Sequence, residues 1–306
     1  MLSQSISMGV IELKRKHDAA AVNSSLVRRP IRRWAPLFMG PMLCAFAIGF
    51  VYPFCKGVYL SFCKFKTTSK WTWVGLKNYQ TIFQDEGFLH AFWYTAAFTV
   101  VSVILINVLA FAVALLLTKG FKGTNIFRTV FFMPNLIGGI VLGYIWQLLL
   151  NGILMKFSRT LTYSSTYGFW GLIILMCWQQ IGYMMIIYIA GIQNIPGELI
   201  EAAEIDGATK WQILKKVTIP MVMPSITVCT FLTLTNSFKL FDQNLALTNG
   251  EPSKMSEMLA LNIFNTFYGR TGYEGVGQAK AVIFFILVTV IALTQNYLTR
   301  RKEVQQ

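Results

Sequence analysis

The chain has 306 residues, of which 55% are hydrophobic and 13% are charged. An average soluble domain carries about a quarter charged residues, so this composition excludes an ordinary soluble domain and an intrinsically disordered chain. Lysine and arginine outnumber aspartate and glutamate by 27 to 13, a formal net charge of +14. In so apolar a chain this excess is expected in loops at the cytoplasmic face of a membrane, and no nucleic-acid partner is predicted.

Residues 1–33 form a basic N-terminal arm, and six charge-free runs follow it. A transmembrane helix needs about 20 mostly apolar residues, because a rise of about 1.5 Å per residue must cover a hydrocarbon core of about 30 Å. The runs of this length are 34–55, 91–118, 129–155, 169–190, 217–238 and 281–299. The predicted fold is therefore an all-α polytopic membrane protein with six transmembrane helices, in which residues 34–306 form the membrane domain in the lipid bilayer.

The distribution of basic residues predicts the direction in which the chain crosses the membrane. With six spans both termini lie on one side, and the segments on that side are 1–33, 119–128, 194–216 and 300–306, which hold most of the lysines and arginines. Short loops rich in these residues stay in the cytoplasm. Both termini are therefore predicted to be cytoplasmic.

Several kinds of chemistry are absent from the sequence. The six runs contain no charged residue, whereas proton- or voltage-coupled carriers usually place one inside a span. The histidines are His17 and His90 alone, and the five cysteines form no Cys-x-x-Cys pair, so no metal site and no bound cofactor is predicted. A phosphate loop ending in Gly-Lys-Ser or Gly-Lys-Thr is also missing. If the protein moves a solute uphill, another chain must therefore supply the energy.

The loop between the fourth and fifth runs differs from the rest of the chain. Proline followed by glutamate is typical of a helix start, and a short helix is predicted over 198–205. Gly207 should then break the helix, because glycine permits a sharp change of backbone direction. Either Asp206 or Thr209 can cap a second helix over 210–220. The loop therefore has the form of two short helices joined by a kink.

Small side chains in this loop would let another protein approach its backbone closely. The loop, 194–224, resembles the EAA loop of bacterial ABC importer permeases, whose pattern is Glu-Ala-Ala, three residues on Asp-Gly-Ala, and a closing proline. The matching residues are Glu201, Ala202, Ala203, Asp206, Gly207, Ala208, Pro220 and Pro224. The plain structural alternative is that Asp206 only caps a helix.

The resemblance extends over most of the chain from about residue 50. Its other matching positions are 74–79, Arg128-Thr129, Pro134, Trp146, Trp178, Gly182-Tyr183, Gln193, Ile195-Pro196, Phe241-Asp242 and 247–250. Together they resemble the carbohydrate-uptake branch of these permeases, and in particular the maltose-permease F-type subunit. The resemblance implies the type I ABC importer permease fold.

The resemblance also implies a function and a set of partners. The chain would be the permease subunit of an ATP-driven importer of a di- or oligosaccharide in a bacterial cell membrane, and it would catalyse no covalent chemistry. It would pair with a second permease subunit, with two copies of a cytoplasmic ATPase that binds ATP and Mg²⁺, and with an extracellular solute-binding protein. Residues 201–203 and 206–208 would couple the permease to the ATPase.

The solute pathway is expected to carry uncharged polar and aromatic residues at mid-membrane depth, because sugars are bound through hydroxyl groups and ring faces. The candidates are Gln179, Gln180 and Tyr183 in the fourth span and Thr233, Asn236 and Ser237 in the fifth. Asn107 and Gln147, in the second and third spans, are second-rank candidates. By resemblance, Tyr183 lies at the position of a sugar-contacting tyrosine. Polar residues in a span also hold helices together, and that alternative stays open for each of them.

Three other functions remain open at this point. The same machinery could carry glycerol phosphate or a polyol, although a phosphorylated solute calls for basic residues along the pathway and the spans contain none. A stand-alone channel or secondary carrier would work without an ATPase. A membrane enzyme would need a carboxylate, histidine or metal set in the spans, and the runs contain none.

Overall fold

The computed structural model describes residues 37–67, 70–120 and 122–300, so the basic arm 1–33 lies outside the described residues. The described chain is mostly helical. Its helices are α1 (Leu37–Leu60), α2 (Lys77–Phe83), α3 (Glu86–Leu117), α4 (Thr124–Phe132), α5 (Gly139–Leu154), α6 (Ser165–Gln193), α7 (Gly197–Ile205), α8 (Lys210–Met221), α9 (Met223–Phe238), α10 (Asp242–Leu247), α11 (Leu259–Gly269) and α12 (Glu274–Arg300). Strands β1 (Cys63–Thr67) and β2 (Lys70–Trp73) form an antiparallel hairpin between α1 and α2.

The predicted membrane spans are confirmed as a set, with corrected bounds. In the described residues, five helices are long and apolar enough to cross a membrane, and α8 with α9 makes a sixth if this bent pair counts as one span. Several helices begin or end beyond the charge-free runs: α1 ends at Leu60, α3 begins at Glu86 and α12 begins at Glu274. The difference arises because absence of charge marks the hydrocarbon core, whereas helix ends are set by capping and by charges that reach water.

The run 129–155, predicted as one helix, is divided in the structure. Helix α4 ends at Phe132, a tight turn spans Met133–Leu136, and α5 starts at Gly139, continuing as a span to Phe157. Pro134 lies in the turn and has no backbone N–H to donate to a preceding carbonyl, so a regular helix cannot pass through it. The third span is therefore shorter than predicted and comes from α5 alone.

The fifth span is bent by 69° between α8 and α9. The break lies at Val222, and Pro224 occupies the first turn of α9. A proline at that position starts a helix well, and because it has no backbone N–H it cannot donate to the carbonyl four residues earlier, which interrupts the hydrogen bonding between α8 and α9. The bend therefore separates the loop-facing helix α8 from the membrane helix α9.

The chain divides into two compact units, 1–59 and 60–306. In the second unit α6 is the most buried of the candidate spans. It packs against α3, α9 and the turn after α4, and the largest hydrophobic cluster is centred on it. Three of the predicted pathway residues, Gln179, Gln180 and Tyr183, therefore lie on the most buried helix of the unit.

Candidate functional site

Helices α7 and α8 form the kinked loop that was predicted from the sequence, with α7 starting one residue earlier, at Gly197. The amide of Gly207 donates to the carbonyl of Glu204, and the amide of Ala208 donates to that of Ala203, each at 3.0 Å. These two bonds are a Schellman cap, which ends a helix with a residue in the left-handed region. Gly207 has φ of +76°, a conformation that strongly favours glycine at this position.

A second cap starts α8 three residues after the first one ends α7. The hydroxyl of Thr209 accepts from the Gln212 amide at 3.4 Å, and the Thr209 amide donates to the Gln212 side chain at 2.7 Å. This reciprocal pair is a capping box. Of the two predicted caps for the second helix, Thr209 is therefore the one that forms, and Asp206 is the last residue of the α7 turn instead.

The surface of this loop is largely exposed. Glu201, Ala202 and Asp206 are exposed, and Ala203 and Ala208 are partly so. Two large apolar side chains stand out from it, with Ile205 86% and Trp211 70% exposed. Another protein could cover the apolar area of these two side chains.

A cavity of about 270 Å³ lies at the C-terminal end of α9, where α6 and α10 meet it. Two of the predicted pathway residues line it, Gln180 and Asn236, and their side chains approach each other at 3.5 Å. The full lining is Met176, Gln180, Asn236, Lys239, Leu240, Phe241, Asp242 and Gln243. It offers amide, ammonium and carboxylate groups next to an aromatic ring, which is a surface suited to a polyhydroxyl solute.

Gln179 lies next to this lining. Its amide nitrogen donates to the carbonyl of Ile137 at 3.3 Å, and its oxygen accepts from Gln243 at 2.8 Å. Tyr183 is half-buried one turn along α6, and its ring lies 6.4 Å from that of Phe132. Both residues belong to the face of α6 that turns toward the chain between α4 and α5.

Thr233 and Ser237 are fully buried in α9 and do not line the cavity. The hydroxyl of Thr233 donates to the Cys229 carbonyl and accepts from the Asn107 amide at 2.9 Å. Asn107 in turn accepts from the Tyr188 hydroxyl at 2.6 Å. This chain of bonds joins α3, α6 and α9, so the geometry favours the helix-joining alternative for Thr233 and for Asn107.

Thr233→Val should lower the stability of the folded protein without changing its apparent affinity for the transported solute. The variant loses the bond from Asn107, and interhelical hydrogen bonds in membranes contribute about 0.6 kcal/mol on average and up to about 1.7 kcal/mol. We expect a lower unfolding temperature in detergent and an unchanged apparent KM for transport. Thr235→Val is the matched control, because that hydroxyl donates to a carbonyl of its own helix, Phe231. A raised KM in Thr233→Val alone would place Thr233 on the pathway.

A buried ion pair that the sequence analysis missed joins three helices near the start of α3. The Nζ of Lys280 is completely buried and lies 2.7 Å from Oδ2 of Asp85. It also donates to Asn262 at 2.8 Å and to Thr266 at 2.9 Å, so all three ammonium protons are bound. Lys280 directly precedes the charge-free run 281–299, and only its position next to that run could have drawn attention to it.

The carboxylate of Asp85 serves two purposes at once. It caps α3 by accepting from the amides of Gly87 and Phe88, and it neutralises Lys280. Burial alone would raise the pKa of Asp85, but the hydrogen bond and charge of Lys280, the Phe88 amide and the charge of Arg270 outweigh burial and hold its pKa below the ordinary value. The Asp85 carboxylate is therefore ionised at neutral pH, and the bonds of Lys280 to Asp85, Asn262 and Thr266 fix α11 and α12 to the start of α3.

The described chain combines five or six helices that are able to cross a membrane with an exposed kinked loop. Residues 106–304 match the family described as the binding-protein-dependent transport system inner membrane component. The chain belongs to this family. It is therefore a permease subunit of an ABC importer and not an enzyme, because a separate ATPase hydrolyses the ATP.

Individual proteins and structures agree with this assignment. The chain is 42% identical to the probable starch degradation products transport system permease protein of Thermoanaerobacterium thermosulfurigenes, over 89% of this chain and 96% of that one. It is 29% identical to the multiple sugar-binding transport system permease protein of Streptococcus mutans, over 89% and 97%. A bacterial ABC transporter involved in the import of the acidic polysaccharide alginate superposes with a TM-score of 0.75 at 22% identity, covering 90% of this chain and 98% of that one. The last comparison shows the importer permease fold.

Proposed function

We propose that this chain is the permease subunit of an ATP-driven importer for neutral di- or oligosaccharides. The observation that carries the proposal is the exposed, doubly capped loop of α7 and α8 on a permease of this family. The sugar is inferred from two relatives, whose names refer to starch degradation products and to multiple sugars. The polar and aromatic lining of the cavity at α9 supports the same substrate class.

The loop is proposed to couple the chain to the ATPase. Glu201 offers an exposed carboxylate to a basic residue of the partner, and Ala202, Ala203 and Ala208 leave room for a close approach. Asp206 and Gly207 set the bend that presents this face. Ile205 and Trp211 supply apolar area at its ends, which adds to affinity because burying apolar surface is favourable. ATP and Mg²⁺ would be bound by the ATPase, and this chain would bind no cofactor.

The assembly is proposed to contain one further permease, two copies of the ATPase and an extracellular solute-binding protein. The second permease is expected to be a different chain, so that the pair is a heterodimer. With the coupling loop facing the ATPase, both termini lie in the cytoplasm of a bacterial cell, in agreement with the lysine and arginine bias of the segments on that side.

Within this chain the sugar pathway is proposed to pass the cavity at Gln180 and Asn236, with Gln179 and Tyr183 on α6 beside it. Ser237, which is buried and does not line the cavity, is left out of this pathway. Glycerol phosphate is disfavoured as a substrate, because Asp242 offsets the charge of Lys239 among the lining residues. A doubly charged phosphate would meet no net positive charge there.

Gln180→Ala and Asn236→Ala test the pathway. Each variant removes hydrogen-bonding groups from the cavity, and a neutral hydrogen bond contributes about 0.5 to 1.5 kcal/mol, so the apparent KM for sugar should rise up to about tenfold. The measurement is ATP-dependent uptake into proteoliposomes that hold the assembled importer. Thr235→Val, at the neighbouring position, should leave the KM unchanged. Failure of either alanine variant to assemble with the ATPase would show a packing role instead.

A further inference from the structure

Helix α10 is too short to cross a membrane, and it packs closely against the helices around it. It covers only Asp242–Leu247, and Asn244, Ala246 and Leu247 are buried. It packs against α5 and α6 and directly follows the end of α9. Its first turn, residues 242 and 243, lines the cavity described above.

One face of α5 is shaped to receive α10. A Cβ added to Gly143 would lie 2.6 Å from the Cβ of Ala246, and a Cβ added to Gly139 would lie 2.8 Å from that of Asp242. Both distances are shorter than any ordinary contact between carbon atoms. One turn further along α5, the Gln147 amide donates to the carbonyl of Leu247 at 3.1 Å. The separation of α5 and α10 is therefore fixed by the absence of side chains at Gly139 and Gly143.

The other side of α10 is held by Asn244. Its amide nitrogen donates to the carbonyl of Ser256 at 2.8 Å, and its oxygen accepts from the amide of Met258 at 2.9 Å. The helix is therefore held between α5 and the segment before α11, with little freedom to move alone. Such rigid support is what a site needs if it is to distinguish between similar ligands.

The first turn of α10 presents complementary groups to the cavity. Gln243 donates to Gln179 at 2.8 Å and is one of the residues that line the cavity. Asp242 and Lys239 line the cavity together with Phe241, whose ring centroid lies 5.1 Å from that of Phe264. Adjacent acceptor and donor groups suit vicinal hydroxyls, an aromatic ring suits the apolar face of a sugar ring, and the two opposite charges cancel.

We propose that the 239–243 segment, held in place by the packing of α10 on α5, is the selectivity element of the pathway and discriminates among neutral oligosaccharides. This inference rests on the proposed function, and it assigns the choice of sugar to Lys239, Asp242 and Gln243 in addition to the polar residues of α6 and α9. Removing the Asp242 charge leaves a net positive lining, which should admit anionic sugars.

The test uses the assembled importer in proteoliposomes, with maltose, maltotetraose and a galacturonate oligomer as probes. Each is supplied at saturating binding protein, so that the affinity of the binding protein does not set the rate. Gln243→Ala should change the ratio of maltotetraose to maltose uptake by about tenfold, which corresponds to the loss of about 1.4 kcal/mol of discrimination. Asp242→Asn should raise galacturonate uptake relative to maltose by a similar factor.

A second set of variants moves α10 without changing a lining residue. Gly143→Ala should shift the maltotetraose to maltose ratio, because the new methyl group displaces Ala246. Gly143→Ala combined with Ala246→Gly should restore the wild-type ratio. Gly152→Ala, on the same helix with open space around it, is the matched control and should leave the ratio unchanged.

The outcomes separate the two proposals. If the wild-type importer shows ATP-dependent uptake of the sugars and every lining variant keeps the wild-type ratios, or slows all probes equally, α10 has no role in selectivity. If the wild-type importer takes up none of the sugars although its ATPase responds to loaded binding protein, the substrate class in the proposed function is wrong. Gln243→Ala also removes the bond to Gln179 and the contact with Gly139. Asp242→Asn keeps the size of its side chain and therefore decides the question if Gly143→Ala fails to fold.

Discussion

Gly207→Pro should abolish ATP-dependent uptake while the protein still inserts into the membrane. Proline fixes φ near −65°, whereas Gly207 has φ of +76°. Proline also has no N–H, so the bond from Gly207 to the Glu204 carbonyl is lost. The Schellman cap cannot form, and the angle between α7 and α8 changes. Uptake into proteoliposomes should fall to background, with the permease recovered from the membrane at its normal level.

The control for this variant is Gly197→Ala in the same loop. Gly197 has an ordinary φ and open space where a Cβ would be, so alanine should leave uptake unchanged. Glu201→Lys tests the charge of the same surface without altering the backbone, because Glu201 is exposed. It should reduce uptake strongly by placing like charges at the contact with the ATPase. Normal uptake by both Gly207→Pro and Glu201→Lys would remove the coupling role of the loop.

Asp85→Asn should cause the largest loss of stability among single substitutions in the buried polar groups. Asparagine still caps α3 but carries no charge, so the fully buried ammonium of Lys280 is left without its counter-ion. Removing one partner of a buried ion pair costs about 3 to 5 kcal/mol. The fraction of protein that stays monodisperse in detergent after heating should therefore drop sharply. Glu86→Gln, at the exposed neighbouring position, should have no effect.

Two further experiments test the ion pair of Asp85 and Lys280. Adding Lys280→Met to Asp85→Asn should recover much of the stability, because the uncompensated charge is then gone. Since the pKa of Asp85 is lowered in the folded protein, the stabilisation is fully present above the ordinary aspartate pKa of about 3.9 and is lost as the pH falls through the lowered value. The wild-type protein should lose this stability in acid and Asp85→Asn should not. Equal stability of Asp85→Asn and the wild type at neutral pH would contradict the structural role.

The coupling loop could be predicted closely because its signals are local. A helix over 198–205, a break at Gly207 and a second helix from position 210 follow from residues within a few positions of each end, and the structure differs only by starting α7 at Gly197. The membrane spans are also predicted from a local signal, the length of each run without charged residues. The ends of the helices are not predicted by that signal, since the cap at Asp85 and the buried charge of Lys280 lie just outside the apolar runs.

Features that depend on distant parts of the chain could not be predicted. Helix α10 is fixed by Gly139 and Gly143, about a hundred residues before it, and nothing in the sequence of α10 indicates that contact. Thr233 and Asn236 look alike as polar residues of one span, yet one joins helices and the other lines the cavity. Only the rotation of α9 in the packed unit distinguishes them.

The 69° bend at Val222 joins the helix of the loop to the helix that carries Asn236. Helix α8 continues from the loop. Helix α9 places Asn236 about 20 Å from the bend, at a rise of about 1.5 Å per residue. A swing of about 10° would sweep Asn236 through about 3.5 Å, roughly the thickness of a sugar ring. If the proposed contact with the ATPase tilts α8 and the angle at Val222 is kept, a small tilt is enough to change the width of the proposed pathway at Asn236.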